Sequence, residues 1–120
     1  MNIDELLKNF FEIRDQAHVW HLQTMSYAEH KALGKFYDEW LETADTFIET
    51  YSGKYVRPVG GFTASVVPYQ EGASLPYIKR VSSFMTSENV RSIAPDTDLQ
   101  NILDELTAIA NRTAYLLTLK

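Results

Sequence analysis

The feature that most constrains this chain is one long apolar stripe. Leu33, Phe36, Tyr37, Trp40, Leu41, Ala44, Phe47, Ile48 and Tyr51 recur at three- and four-residue spacing. That period places them on one broad face of a helix about seven turns long. A helix with so wide an apolar face folds only by packing it against other helices or a sheet. The rest of the chain supplies helices. Ile3, Leu6, Leu7, Phe10, Phe11, Ala17 and Leu22 repeat at helical period. So do Leu99, Ile102, Leu103, Leu106, Ile109, Ala110, Thr113, Leu116 and Leu117.

The boundaries follow from caps and breakers. Asn2 with Glu5, and Ser26 with Glu29, have the spacing of helix N-terminal capping residues. Gly53 can stop the second helix. Pro76 suits the first turn of a third helix, and Asp96 or Asp98 can cap a fourth. The predicted helices are 2–24, 27–52, 75–91 and 97–119. Between the second and third lies "KYVRPVGGFTASVVPYQEGA", where Pro58, Gly60, Gly61, Pro68 and Gly72 exclude a helix. Its β-branched patches suit short extended pieces, and so long a connection often serves function or an interface. The predicted fold is a single all-α domain over 1–120. It is an antiparallel four-helix bundle with a long irregular connection between helices two and three.

Composition removes several functions. There is no cysteine, so disulfides and thiolate metal sites are excluded, which fits a cytoplasmic protein. No apolar run is long enough for a membrane span. The net charge is −5, with no basic tail or cluster, so DNA binding is not expected.

All three histidines, His18, His21 and His30, fall in "HVWHLQTMSYAEH". Imidazole and carboxylate together suit iron, zinc or manganese. Asp45 and Glu49, spaced i, i+4, can face one ion from one helix. The plainer reading makes Asp38, Glu42, Asp45 and Glu49 a solvated stripe and His18 and His21 partly buried, bonded imidazoles. His30 and Asp45 are fifteen residues apart on one helix, hence separated by roughly 22 Å at about 1.5 Å per residue. No ion can touch both within one chain. A shared site needs a twofold dimer along helix two, with carboxylates from one copy and histidines from the other. A third arrangement, Asp15, His18 and Asp38 within one chain, is also compatible with a hairpin turning near Ser26.

These residues resemble the ferritin-like Dps family of iron-oxidising mini-ferritins. His18 and His30 are twelve apart, and Asp45-x-x-x-Glu49 follows where the family has its acidic pair. "QAH", "ADTFIE" and "NRTAYLLTLK" resemble family segments as well. The resemblance covers about two-thirds of the chain. It implies a ferritin-like fold, a homo-oligomer built on a twofold dimer or a larger cage, and an intersubunit iron site with ferroxidase activity. Its metal ligands would be His18 or His21, with His30, Asp45 and Glu49; Zn or Mn could replace Fe. Ungapped spacing favours His18, and the local motif "HVWH" favours His21. No further catalytic or cofactor-binding residue is implied. Gly34 stands where the family often has another aspartate, residues 54–73 replace its short interface helix, and its basic tail is missing. Small divergent relatives of this kind occur in tailed phages. The competing expectation is a non-catalytic helical structural or interaction protein, such as a phage assembly or host-modulating factor.

Overall fold

The computed structural model describes residues 1–120 and is all helical, with no strand. Helices α1 (Ile3–Gln23) and α2 (Tyr27–Lys54) form a hairpin with a tight turn. Both expected caps are made: the Asn2 side chain accepts from the Glu5 N–H, and Ser26 Oγ accepts from the Glu29 N–H. Gly53 does not end α2. A lone exposed glycine lowers helix propensity by about 1 kcal/mol without breaking the helix, and α2 runs on to Lys54.

The expected third helix, 75–91, is two helices. α3 spans Ser74–Thr86 and α4 spans Glu88–Arg91. Ser87 divides them: its backbone is extended and its side chain caps α4 by accepting from the Val90 N–H. α5 (Thr97–Leu116) begins at Asp96, whose carboxylate makes no capping bond. It pairs instead with Lys54 and accepts from the Tyr55 hydroxyl. That clamp joins the end of α2 to the start of α5.

Residues 55–73 form a strap. From 56 to 70 it has neither turn nor bend, and it is exposed almost throughout. It lies along α1 and runs in the same direction. The Val59 N–H bonds Asp4, the Ser65 N–H bonds Glu12, the Val67 N–H bonds Gln16 and the Tyr69 N–H bonds Gln23. The buried Gln16 amide also donates to the Val67 carbonyl, which accepts from Trp20 Nε1 as well. Gln16 thus serves Val67 as a neighbouring strand would. Because the strap carries the chain back to the hairpin end, α3 starts there and runs parallel to α2.

The core joins every helix. Phe10 sits edge-on to Trp40 at 5.8 Å and to Phe47 at 6.0 Å between ring centres. The indole N–H of Trp40 donates to the Phe10 carbonyl, so this fully buried ring leaves no unmet donor. The expected stripes are the buried ones: Leu33, Phe36, Trp40, Ala44 and Phe47 from α2, and Leu99, Leu103, Leu106, Ile109 and Ala110 from α5. No helix is long and apolar enough to cross a membrane.

Candidate functional site

The hairpin end brings His21, in the last turn of α1, against His30, in the first turn of α2. Their rings stack, with centres 3.9 Å apart and planes 14° from parallel. Each bonds the other's backbone: His21 Nδ1 lies 2.6 Å from the His30 carbonyl and His30 Nδ1 lies 2.7 Å from the His21 carbonyl. A carbonyl oxygen only accepts, so Nδ1 carries a hydrogen in both rings, and in a neutral imidazole so held Nε2 is the nitrogen with the lone pair. The His21 carbonyl belongs to the last turn of α1, where carbonyls lack helical partners, so His30 satisfies a group that needs one.

Gly34 makes this arrangement fit. A Cβ there would lie 2.8 Å from His21 Cε1 and 2.9 Å from its Nδ1. The glycine that departs from the mini-ferritin pattern therefore has a packing reason of its own. His18 does not join the pair. It stacks on Tyr37 at 4.1 Å, with the planes 9° apart. An open groove of about 660 Å³ runs past this column, lined by His21, His30, Lys31, Lys35, Tyr37 and Asp38, with Leu116 and Leu119 closing one side.

Below the histidines, Glu29 ties the turn to the strap. Its Oε1 accepts from Thr24 Oγ1 at 2.5 Å and from the Tyr69 hydroxyl at 2.6 Å. Burial pushes the Glu29 carboxyl up, but the hydroxyl donors outweigh it and hold it below the usual carboxylate value. The same bond raises Tyr69 above an ordinary tyrosine.

The expected ligand set does not meet within one chain. Asp45 and Glu49 are exposed on α2, along the helix from His30. Asp15 pairs with Arg14 at 2.9 Å, and Asp15, His18 and Asp38 do not gather into a group that could hold an ion. No three histidines or carboxylates lie close enough to hold an ion. The stacked pair is itself a poor chelate. An ion needs to sit about 2.0–2.1 Å from each nitrogen in the plane of its ring, and two parallel rings cannot both offer that to one ion. Sequence reasoning missed Tyr37, Gln16 and Tyr69. Gly34 was a usable signal, since a glycine inside a helix often marks a close approach.

Residues 21–117 match the family of unknown function DUF5856. The chain belongs to that family. It is also 28% identical over 119 residues to the uncharacterized 14.6 kDa protein in the mobD-ri intergenic region of Enterobacteria phage T4. The match covers 98% of this chain and 88% of that one. No solved structure matches. These findings correct the resemblance to the Dps mini-ferritins. The spacings that suggested it are ones a helical hairpin with a solvated outer face produces unaided: Asp45 and Glu49 are exposed, His21 and His30 are bonded to one another's backbone, and His18 stacks on Tyr37.

Proposed function

We propose that this DUF5856 protein is a small helical assembly module that acts through its surfaces, as a homo-oligomer. The fold reading that goes with it is a four-helix bundle, with α1, α2, α3 and α5 as its members and the strap as its single long crossover. The observation that supports it is where large apolar side chains remain exposed. The core is complete, yet Leu22, Met25 and Tyr27 stand out at the hairpin tip, and Val56, Val59, Val66 and Val67 stand out along the strap. Apolar surface gathered into patches, not scattered singly, marks contact sites. Net charge and the lack of a basic cluster argue against duplex DNA as the partner. Light scattering of the purified chain at micromolar concentration tests the reading: an oligomer is expected, and a monomer that also captures no other protein counts against it.

A metal-binding reading stands second because one observation favours it. Both Nδ1 atoms donate to carbonyls, which is how a metal-binding imidazole is commonly held with Nε2 presented outward. A single ion cannot take both stacked rings as they stand. This reading therefore needs the rings to part and needs Asp45 and Glu49 of a second copy; Fe, Zn or Mn would be the ion, and iron oxidation would rest on it. Mixing decides it. A His21→Ala/His30→Ala chain and an Asp45→Ala/Glu49→Ala chain should each bind no Fe(II), and co-refolding should restore binding to at most about half the wild-type sites. Equal binding by either mutant alone removes the intersubunit site.

A further inference from the structure

The strap's bonded N–H groups all lie on one backbone edge, on which Gly61 and Thr63 alone between Val59 and Tyr69 donate to nothing in the chain. The N–H groups of Val59, Ser65, Val67 and Tyr69 all bond to α1, and all are odd-numbered. In an extended chain, successive backbone groups point to opposite sides. The even-numbered residues therefore turn theirs away from α1. Pro58 and Pro68 are even and carry no N–H, so they bracket the donors of Gly60, Phe62, Ala64 and Val66 on the outer edge. None of these four donates to another residue of the chain. Residues 58–70 contain no charge, and the run shows no turn or bend and is exposed almost throughout. Natural edge strands are usually charged, bulged or covered, because an open one recruits another strand.

The charges that flank this run choose its partner. Arg57 precedes it and Glu71 follows it. Both are exposed and neither has an ion-pair partner in the chain. If two straps lie antiparallel with Ala64 opposite Ala64, every outward residue meets an outward residue. Phe62, whose ring already meets Phe11 of α1 edge-on at 5.5 Å, then lies opposite Val66, an aromatic and β-branched pair of the kind that favours cross-strand contact. The same register sets Arg57 opposite Glu71 at both ends. A twofold axis through Ala64 makes the surface complementary to itself.

We propose that two copies of this chain pair through their straps as an antiparallel two-stranded ladder centred on Ala64, closed at each end by Arg57 and Glu71. The proposal rests on the reading of the chain as an assembly module and names the surface it uses. Strand addition draws its affinity from backbone bonds and its register from side chains. An interface this narrow is at the small end of specific ones, so the dimer should depend on concentration.

Sedimentation velocity on the full chain, from low to high micromolar concentration, tests it. Wild type should pass from monomer to dimer. Ala64→Pro removes one outward donor and leaves every bond to α1, so dimerisation should weaken by about ten-fold or more while circular dichroism stays unchanged. Arg57→Glu and Glu71→Arg should each weaken the dimer, and the two together should restore it. That set keeps the test open even if Ala64→Pro perturbs the fold. A wild type that stays monomeric, or a double charge reversal no better than the single ones, overturns the proposal. A dimer indifferent to Ala64→Pro also overturns it but leaves the assembly reading standing, with another surface to be found.

Discussion

At Gly34, a helix accepts its second-worst residue to admit a ring. Gly→Ala in a helix interior ordinarily stabilises by about 1 kcal/mol, but here the new methyl would meet His21 at 2.8 Å and push it off the His30 carbonyl. Gly34→Ala should therefore destabilise the chain by about 1–3 kcal/mol, as overpacking does. With His21→Ala already in place, the same change should turn stabilising. Urea denaturation of the four proteins measures the cycle, and a Gly34→Ala cost that survives His21→Ala would show that the ring is not the cause. Glu29 gives a pH signature. Its folded carboxyl lies below its unfolded value of about 4.5, so its contribution is fully present above that value and is lost as pH falls through the folded one. Thermal melts from pH 7 to pH 3 should show Glu29→Gln less stable than wild type at neutral pH, with the gap closing in acid. A gap that stays constant would mean that the charged carboxylate contributes nothing.

Among the elements, the helices and the irregular connection between α2 and α3 were legible, and the path of that connection along α1 was not. Apolar period and capping residues are local properties, and the Asn2 and Ser26 caps and the α2 and α5 stripes are as the sequence indicates. The break at Ser87 was hidden because "SSFMTSENVR" keeps a helical composition while its serine changes role from helix residue to cap. The strap's path depends on α1 side chains some fifty residues away, which no local pattern reports. It leaves its own mark on hydrogen exchange. The amides of Ser65, Val67 and Tyr69 should be protected and those of Ala64 and Val66 fast in dilute protein. If the strap pairs between copies, the fast pair should slow as concentration rises. Uniform exchange along the segment would deny the alternation.

For the whole molecule, the candidate site was legible as a set of residues but not as an arrangement. His21 and His30 are neighbours because a tight turn brings the ends of α1 and α2 together, while His18 stacks on Tyr37. What their neighbourhood would be was set by tautomer, ring stacking and a glycine, none of which a spacing encodes. The carboxylates are exposed. If the metal reading is wrong, Asp45→Ala/Glu49→Ala should change stability by only a few tenths of a kcal/mol, as surface changes usually do. A Tm raised by Zn(II) in wild type and unaffected by it in this variant would revive the shared site.

The strap's dependence on α1 also orders events in time. Asp4, Glu12, Gln16 and Gln23 line up to receive it only once those residues are wound into a helix, and isolated helices are marginal until packed. The hairpin of α1 and α2 closes a short loop, whereas Gln16 and Val67 must meet across 51 residues. The refolding chain should thus cross its barrier with the hairpin formed and the strap still loose. Gln16→Ala, which strips Val67 of two bonds, should quicken unfolding and leave the refolding rate nearly unchanged, a φ-value near zero. Stopped-flow chevrons would show this directly, and slower refolding would place the strap in the nucleus.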